Sequence, residues 1–286
     1  MFAADLQSDV AERRQDRPLQ RIRVDGGVAL RFAVRAGKTR VTTNRQSDGY
    51  KVRFPKRAAV SEAVVINTGG GLVGGDRVHV VAELDAAATA CLTTPAAERV
   101  YRAVEGSDAA RVDVRVSLSD RAELAWLPQE TIAFNGARMR RAIDVEMAGT
   151  ACLVAAETLI FGRAAMGETL SSGFVCDQWR IRRDGRLVFA ESMRLDGEVR
   201  AALDSCAGAN GGAVVATVVA VSPEAEDRLS AIRTAIGEFD TFAAASAWNG
   251  LLVVRAVAPN ANVVRSVLEK TLPILTRHPL PRVWAN

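Results

Sequence analysis

Arg111-Val112-Asp113-Val114-Arg115-Val116-Ser117-Leu118 decides the fold class. Valine or leucine fills every second position, and a polar or charged residue fills the others. Successive side chains of a strand point to opposite faces, so a period of two marks a strand with one buried face. The same reading extends both ways along the chain. Ala29–Ala36 sets Leu30, Phe32 and Val34 against Arg31, Ala33 and Arg35. Ala63–Ile66, Arg77–Leu84, Thr89–Thr94, Ala122–Leu127, Arg138–Met147, Ala151–Ile160, Phe174–Arg182 and Arg186–Leu195 read as further short strands. Between the last two, Asp184-Gly185 is a two-residue hairpin signal.

Beyond Ala207–Gly212, the best candidate for a seam, the pattern changes. Ala213–Val221 and Gly250–Val257 still read as strands. Ser222-Pro223 reads as the N-cap and first residue of a helix that carries Leu229, Ile232 and Ile236 at helical spacing. Asn262–Leu275 reads as a second helix, with Val264, Leu268 and Leu272 on one face and Pro273 kinking or ending it. The expectation is a mainly β chain, a large stack of many short strands with two late α-helices. No repeat of solenoid length stands out. Residues 1–17 read as a flexible arm and 18–286 as a single β-rich domain.

The chain has 286 residues, 49% of them hydrophobic and 24% charged, which is enough for a sizeable core. Its net charge of +4 is a weak field, although Arg13, Arg14, Arg17, Arg21, Arg23, Arg31, Arg35, Lys38 and Arg40 crowd the first forty residues. Without a recognition helix, zinc finger or RNP motif, nucleic acid is not an expected partner; an acidic protein surface suits such a charge equally well. The polar start lacks an apolar h-region, and no run approaches the roughly 18 apolar residues of a membrane span. A soluble, cytoplasmic protein without membrane contact is expected. Cys91, Cys152, Cys176 and Cys206 show no C-x-x-C spacing and are expected to be reduced.

Catalytic chemistry is thinly represented. There are two histidines, His79 in the strand Arg77–Leu84 and His278 beside Pro279 in an extended, surface tail. Neither they nor the cysteines have zinc spacing. No G-x-S-x-G nucleophile elbow is present. The glycine-rich segment Asn67–Asp76 contains Gly69, Gly70, Gly71, Gly74 and Gly75. It lacks the Gly-Lys-Ser/Thr of a phosphate-binding loop, and a strand follows it, so no helix N-terminus is offered to an anion. A tight loop that lets another backbone pass closely is the stronger reading; a hydrolase or nucleotide-binding enzyme built on Gly69–Gly75 is the alternative. Four carboxylates stand out as well: Asp76, Glu98, Glu157 and Glu191. An acid in an apolar strand must be paired or coordinated. Ion pairs with Arg99, Arg163 or Arg194 are one reading, and the polar lining of a channel or transient cation site is the other.

Five strings together resemble the UreD (UreH) urease accessory family: NTGGGLVGGDR at 67–77, TTPAAERVYR at 93–102, WLPQETIAFNGAR at 126–138, ETLIFGRAAMGE at 157–168 and LPRVW at 280–284. They span nearly the whole chain from about Ala29. The resemblance implies a β-helix-like stack and a maturation factor rather than an enzyme. It implies work on apo-urease with UreF and the GTPase UreG, with nickel as cargo in transit and no tightly bound cofactor. It also implies an internal polar passage, onto which Asp76, Glu98, Glu157 and Glu191 are placed, with His79 a lesser candidate. A plain urease-binding scaffold that never touches nickel remains the other family-based reading. The glycines, Arg77, Tyr101, Arg102 and the string Phe134-Asn135-Gly136 are candidates for a structural or partner-facing loop.

Overall fold

A computed structural model describes residues 23–285 apart from 57, 59 and 240; the expected arm at 1–17 lies outside the described residues. The strands are β1 (Asp25–Arg35), β2 (Lys38–Ser47), β3 (Tyr50–Arg53), β4 (Ser61–Asn67), β5 (Arg77–Leu84), β6 (Thr89–Thr93), β7 (Glu98–Val100), β8 (Ala110–Leu118) and β9 (Glu123–Leu127). They continue as β10 (Thr131–Ala133), β11 (Arg138–Met147), β12 (Cys152–Arg163), β13 (Glu168–Thr169), β14 (Ser172–Arg183), β15 (Arg186–Glu198), β16 (Val214–Val221), β17 (Phe242–Trp248) and β18 (Leu251–Ala258). Three α-helices join them: α1 (Val199–Asp204), α2 (Leu229–Ile236) and α3 (Ala261–Thr276).

Two sheets face each other. The first has the order β15-β14-β11-β8-β5-β1-β2 and the second runs β17-β18-β16-β12-β9-β6-β4-β3, with β10, β7 and β13 attached beside β12. From β4 to β14 the main strands alternate between the sheets, and each pairs in parallel with the strand one coil earlier. Arg77 lies opposite Arg111, Arg111 opposite Arg140, and Arg140 opposite Cys176, so successive coils are stacked in register. This is the β-helix-like stack that the resemblance implied. Antiparallel strands close it: β2 and β15 at the ends of one sheet, and β3, β16, β18 and β17 on the other.

The winding leaves no sequence repeat because a coil has to repeat only its alternation. Inward positions such as Val80, Val114, Ile143 and Trp179 fill the space between the sheets. The outer face of the second sheet is apolar too, and α2 and α3 cover it through Ile232, Val264, Val267, Leu268 and Leu272. Helix α1, at the seam near Ala207–Gly212, closes one end of the stack with Val199 and Leu203.

Two expected helix boundaries are corrected. Ser222-Pro223 opens a turn, in which Ala225 N–H donates to the Ser222 carbonyl at 3.2 Å, and a short 3-10 turn at Glu226–Arg228 precedes α2. Helix α3 starts with the Asn260 side chain accepting from Val263 N–H and runs through Pro273 to a left-handed Arg277. Strand β2 was missed because it is an edge strand with little apolar content, a usual way to keep an edge from pairing with other chains. No helix of the described residues is long and apolar enough to cross a membrane.

Phe32 is fully buried between the sheets. Phe32→Ala is expected to lower stability by about 3–5 kcal/mol, while Thr42→Ala on exposed β2 stays within about 0.5 kcal/mol. Urea midpoints at unchanged m-value check both.

Candidate functional site: a polar track between two apolar cores

The glycine segment is a corner of the coil, where β4 leaves one sheet and β5 enters the other. The next corner presses against it. Leu72 N–H donates to the Arg99 carbonyl at 2.7 Å and Tyr101 N–H to the Leu72 carbonyl at 2.8 Å. Gly71 has φ +151, and a Cβ there would stand 2.5 Å from the Tyr101 ring and 2.7 Å from the Arg99 carbonyl oxygen. At Gly74 a Cβ would meet Ser107 and Asp108 at similar range. At Gly71 and Gly74 the chain's own neighbouring corner fills the space beside the loop, which is the close-passage reading at those two positions. Tyr101 also donates its hydroxyl to the Gly70 carbonyl at 2.9 Å.

The following corner repeats the arrangement. Phe134 N–H donates to the Val100 carbonyl, and Ala103 N–H to the Gly136 carbonyl. The Phe134 ring meets Tyr101 edge-on at 5.0 Å, with the Arg163 guanidinium 4.2 Å above it. Asn135 accepts from Ser171 and Ser172 N–H and donates its own N–H to Glu168. Phe134-Asn135-Gly136 is thus half-buried stacking material between coils. Arg77 and Arg102 remain exposed.

Beneath these corners the acids lie along one line. Asp76 is buried and accepts from Val24 N–H at 3.0 Å and Val73 N–H at 2.8 Å. Glu98 accepts from the Asn67 amide at 3.0 and 3.1 Å. Burial raises its pKa, and the Asn67 contact opposes the shift. The buried Tyr50 hydroxyl beside them has no partner among the described residues; burial first, then Glu98 and Asp76, push its pKa up. Thr131 pairs with Glu98 on one side and Leu159 on the other, and its hydroxyl is 3.4 Å from Arg141 Nη1.

Arg141 is the centre. Its Nε and Nη2 fork onto Asp177 at 2.8 Å each, and Nη1 meets Glu157, which also accepts from Trp126 Nε1 at 2.8 Å. Arg141 is 3% exposed and Glu157 5%. Burial alone would lower the arginine's pKa, but Asp177 and Glu157 together hold its charge in place. Burial raises the Glu157 carboxyl to about 7, against the pull of Arg141 and with Asp177 adding to the rise.

Glu157 lies opposite Thr217 and Thr217 opposite Arg255, whose guanidinium forks onto Glu191 at 2.9 and 2.6 Å. The track therefore runs from Asp76 and Glu98 through Thr131, Arg141, Glu157 and Thr217 to Glu191 at the half-exposed Arg255. One apolar core lies on one side of it, with Ile143, Ala155, Trp179 and Val219. Another lies on the other, with Met139, Leu159 and Val175.

All four acids singled out in the sequence share this track. Of the arginines expected beside them, Arg99 adjoins Glu98 and donates its backbone N–H to it at 3.2 Å, whereas Arg163 pairs with Glu168 and Arg194 with Asp196, and Arg141 and Arg255 hold Glu157 and Glu191. His79 lies on the outer face, 3.7 Å from Asp25 and 3.6 Å from Asp113, away from the track. Arg141 and Asp177 were missed, although each interrupts an inward apolar row, Met139-Ile143-Val145 and Val175-Trp179-Ile181. No group of three or more His, Cys, Asp or Glu among the described residues is arranged to hold a metal ion.

Comparison with known sequences first gives the class: accessory proteins that serve the maturation of another enzyme. The chain belongs to the UreD urease accessory protein family, whose profile matches residues 24–285. A Urease accessory protein UreD from a Methylobacterium species is 43% identical over 272 residues, covering 93% of this chain and 96% of the relative. That of Xanthobacter autotrophicus is 39% identical with 99% of each covered. Urease accessory protein UreD 1 of Methylobacterium radiotolerans is 41% identical with 93% of each covered. A role in urease maturation follows from this membership.

Arg141→Met leaves two carboxylates buried without a cation and is expected to cost about 3–5 kcal/mol, whereas replacing Arg141, Glu157 and Asp177 together by apolar residues costs less. Urea unfolding of both variants measures the difference.

Stability should also depend on pH through Glu157. In the unfolded chain it ionises near about 4.3; in the folded chain it keeps its proton to about 7. The folded state holds more protons in that window, so the stability present below it is lost as pH rises to 7. The urea midpoint is expected to fall from pH 5 to pH 7.5 in wild type, and to fall less in Glu157→Gln.

Proposed function

We propose that this chain delivers nickel to apo-urease, acting with UreF and the GTPase UreG in the cytoplasm, and that nickel moves along the interior polar track. The observation that carries the reading is the run from half-buried Glu98 through buried Thr131, Arg141 and Glu157 across an otherwise apolar interior. Buried ion pairs rarely stabilise more than apolar residues of the same volume. A fold held by two apolar cores gains little from a polar layer between them, so the layer is better explained by cargo. Carboxylate and hydroxyl oxygens suit a borderline divalent ion that has to be released again, because they bind it more weakly than a set of histidines. In the resting protein the Arg141 guanidinium balances the Asp177 carboxylate and donates to the Glu157 carboxyl. An incoming cation would take over that role and allow the side chain to move aside.

A scaffold that only positions apo-urease and its partners is the second reading. It is favoured by the ion pairing of Glu157 with Arg141 and of Glu191 with Arg255.

The test is activation of purified apo-urease by nickel and bicarbonate with UreF and UreG, the chain being added or omitted. Activation is expected to require the chain; equal activity without it overturns the proposal. Glu157→Leu is then expected to lower activation and the nickel content of urease several-fold while a pull-down still recovers the complex. Unchanged nickel content would leave the scaffold reading standing.

A further inference from the structure

The outer face of the second sheet carries a partly open cavity of about 250 Å³, well away from the polar track. Its floor is a row of one residue from each of five neighbouring strands: Glu62, Cys91, Ala125, Val154 and Ala220. The segment Leu275–Pro281, which follows α3, forms its roof. Small residues in the middle of the row leave the space, and the roof encloses it.

Glu62 stands at one end of this otherwise mainly apolar floor. It is 8% exposed, and among the described residues no side chain or backbone group hydrogen-bonds or ion-pairs with its carboxyl. Burial raises its pKa. Arg228 and Arg277 act on Cys152 of β12. Arg228 donates to the Ile274 and Leu275 carbonyls, and Arg277 pairs with Glu224. From β4 to β12 is three strand spacings, about 14 Å. Glu62 therefore stands apart from Arg228 and Arg277, which are already engaged by carbonyls and by Glu224.

We propose that this cavity binds a primary ammonium group carried on an apolar stem, with the ammonium on Glu62 and the stem over Cys91, Ala125 and Val154. A largely buried carboxyl that borders the cavity and has no protein partner among the described residues is free to accept hydrogen bonds, and an ammonium donates them. The size fits: an apolar cavity of about 150 Å³ accommodates benzene, and the larger volume accommodates a six-carbon chain with its head group. The same chemistry is presented by a lysine side chain of a docking protein and by a free alkylamine.

The test uses the full chain, titrated with n-hexylammonium, n-hexanol and hexanoate while thermal unfolding is followed. Hexylammonium is expected to raise Tm saturably, hexanol to bind about tenfold more weakly, and hexanoate not at all. In Glu62→Gln the preference for hexylammonium over hexanol should disappear. Filling the floor with Ala125→Leu should abolish both responses. Equal responses of wild type to hexylammonium and hexanol overturn the proposal, and that comparison needs no variant. So does an undiminished hexylammonium response in Glu62→Gln. Nα-acetyl-lysine methylamide separates the two sources. Competition between it and hexylammonium upholds the site as one for a protein side chain, and binding of hexylammonium alone upholds it as one for a free amine.

Discussion

Arg141 reaches from one sheet toward the other and is met there by carboxylates from both. Asp177 comes from the neighbouring strand, and Glu157 comes from the opposite sheet. Three charge-assisted contacts fix the guanidinium in a place that water does not reach. Because the contacts cross the gap between the sheets, they also constrain how far one sheet can slide over the other. A shift of one residue would turn Glu157 outward and leave Arg141 with one carboxylate. The apolar cores on either side tolerate small adjustments of packing; the charged layer does not, since an unmatched buried charge is far more costly than a lost methylene.

The corners depend on a different constraint, namely the close approach of one coil to the next. Gly71 and Gly74 lie where a Cβ would strike the following corner, and the backbone bonds from Leu72 and to Tyr101 are made across that contact. Asn135 and Glu168, two and three corners later, satisfy backbone N–H groups that strand pairing leaves free. Four of the strings that carried the resemblance are therefore neighbouring parts of one edge of the molecule, directly over the polar track. Their glycines and polar residues serve the geometry of stacking.

Much of the fold was legible in the sequence. The inward and outward alternation of Arg111–Leu118 or Arg138–Met147 is set by residue-to-residue geometry, so strand identity and buried face could be read one segment at a time. Hydrophobic spacing located α2 and α3 in the same way, although the turn at Ser222-Pro223 delayed the start of α2. Glu157 and Glu191 could be singled out because each follows an apolar run, Asp76 because it closes the glycine segment, and Glu98 within Thr94–Arg99. Arg141 and Asp177 carried the same signal less visibly, since a charge in an alternating strand is ordinarily assigned to the wet face.

What the sequence determined alone was thus local: strands, their faces, the corners that only glycine can make, and the family. Which strand follows which in a sheet, that β5, β8, β11 and β14 lie parallel, and that Glu157 meets Arg141 were decided by tertiary structure. Those pairings join residues tens of positions apart, and their free energy comes from closing the coil and excluding water from its interior. No property of a single segment contains that information, because an arginine's partner is whichever carboxylate the winding brings within reach.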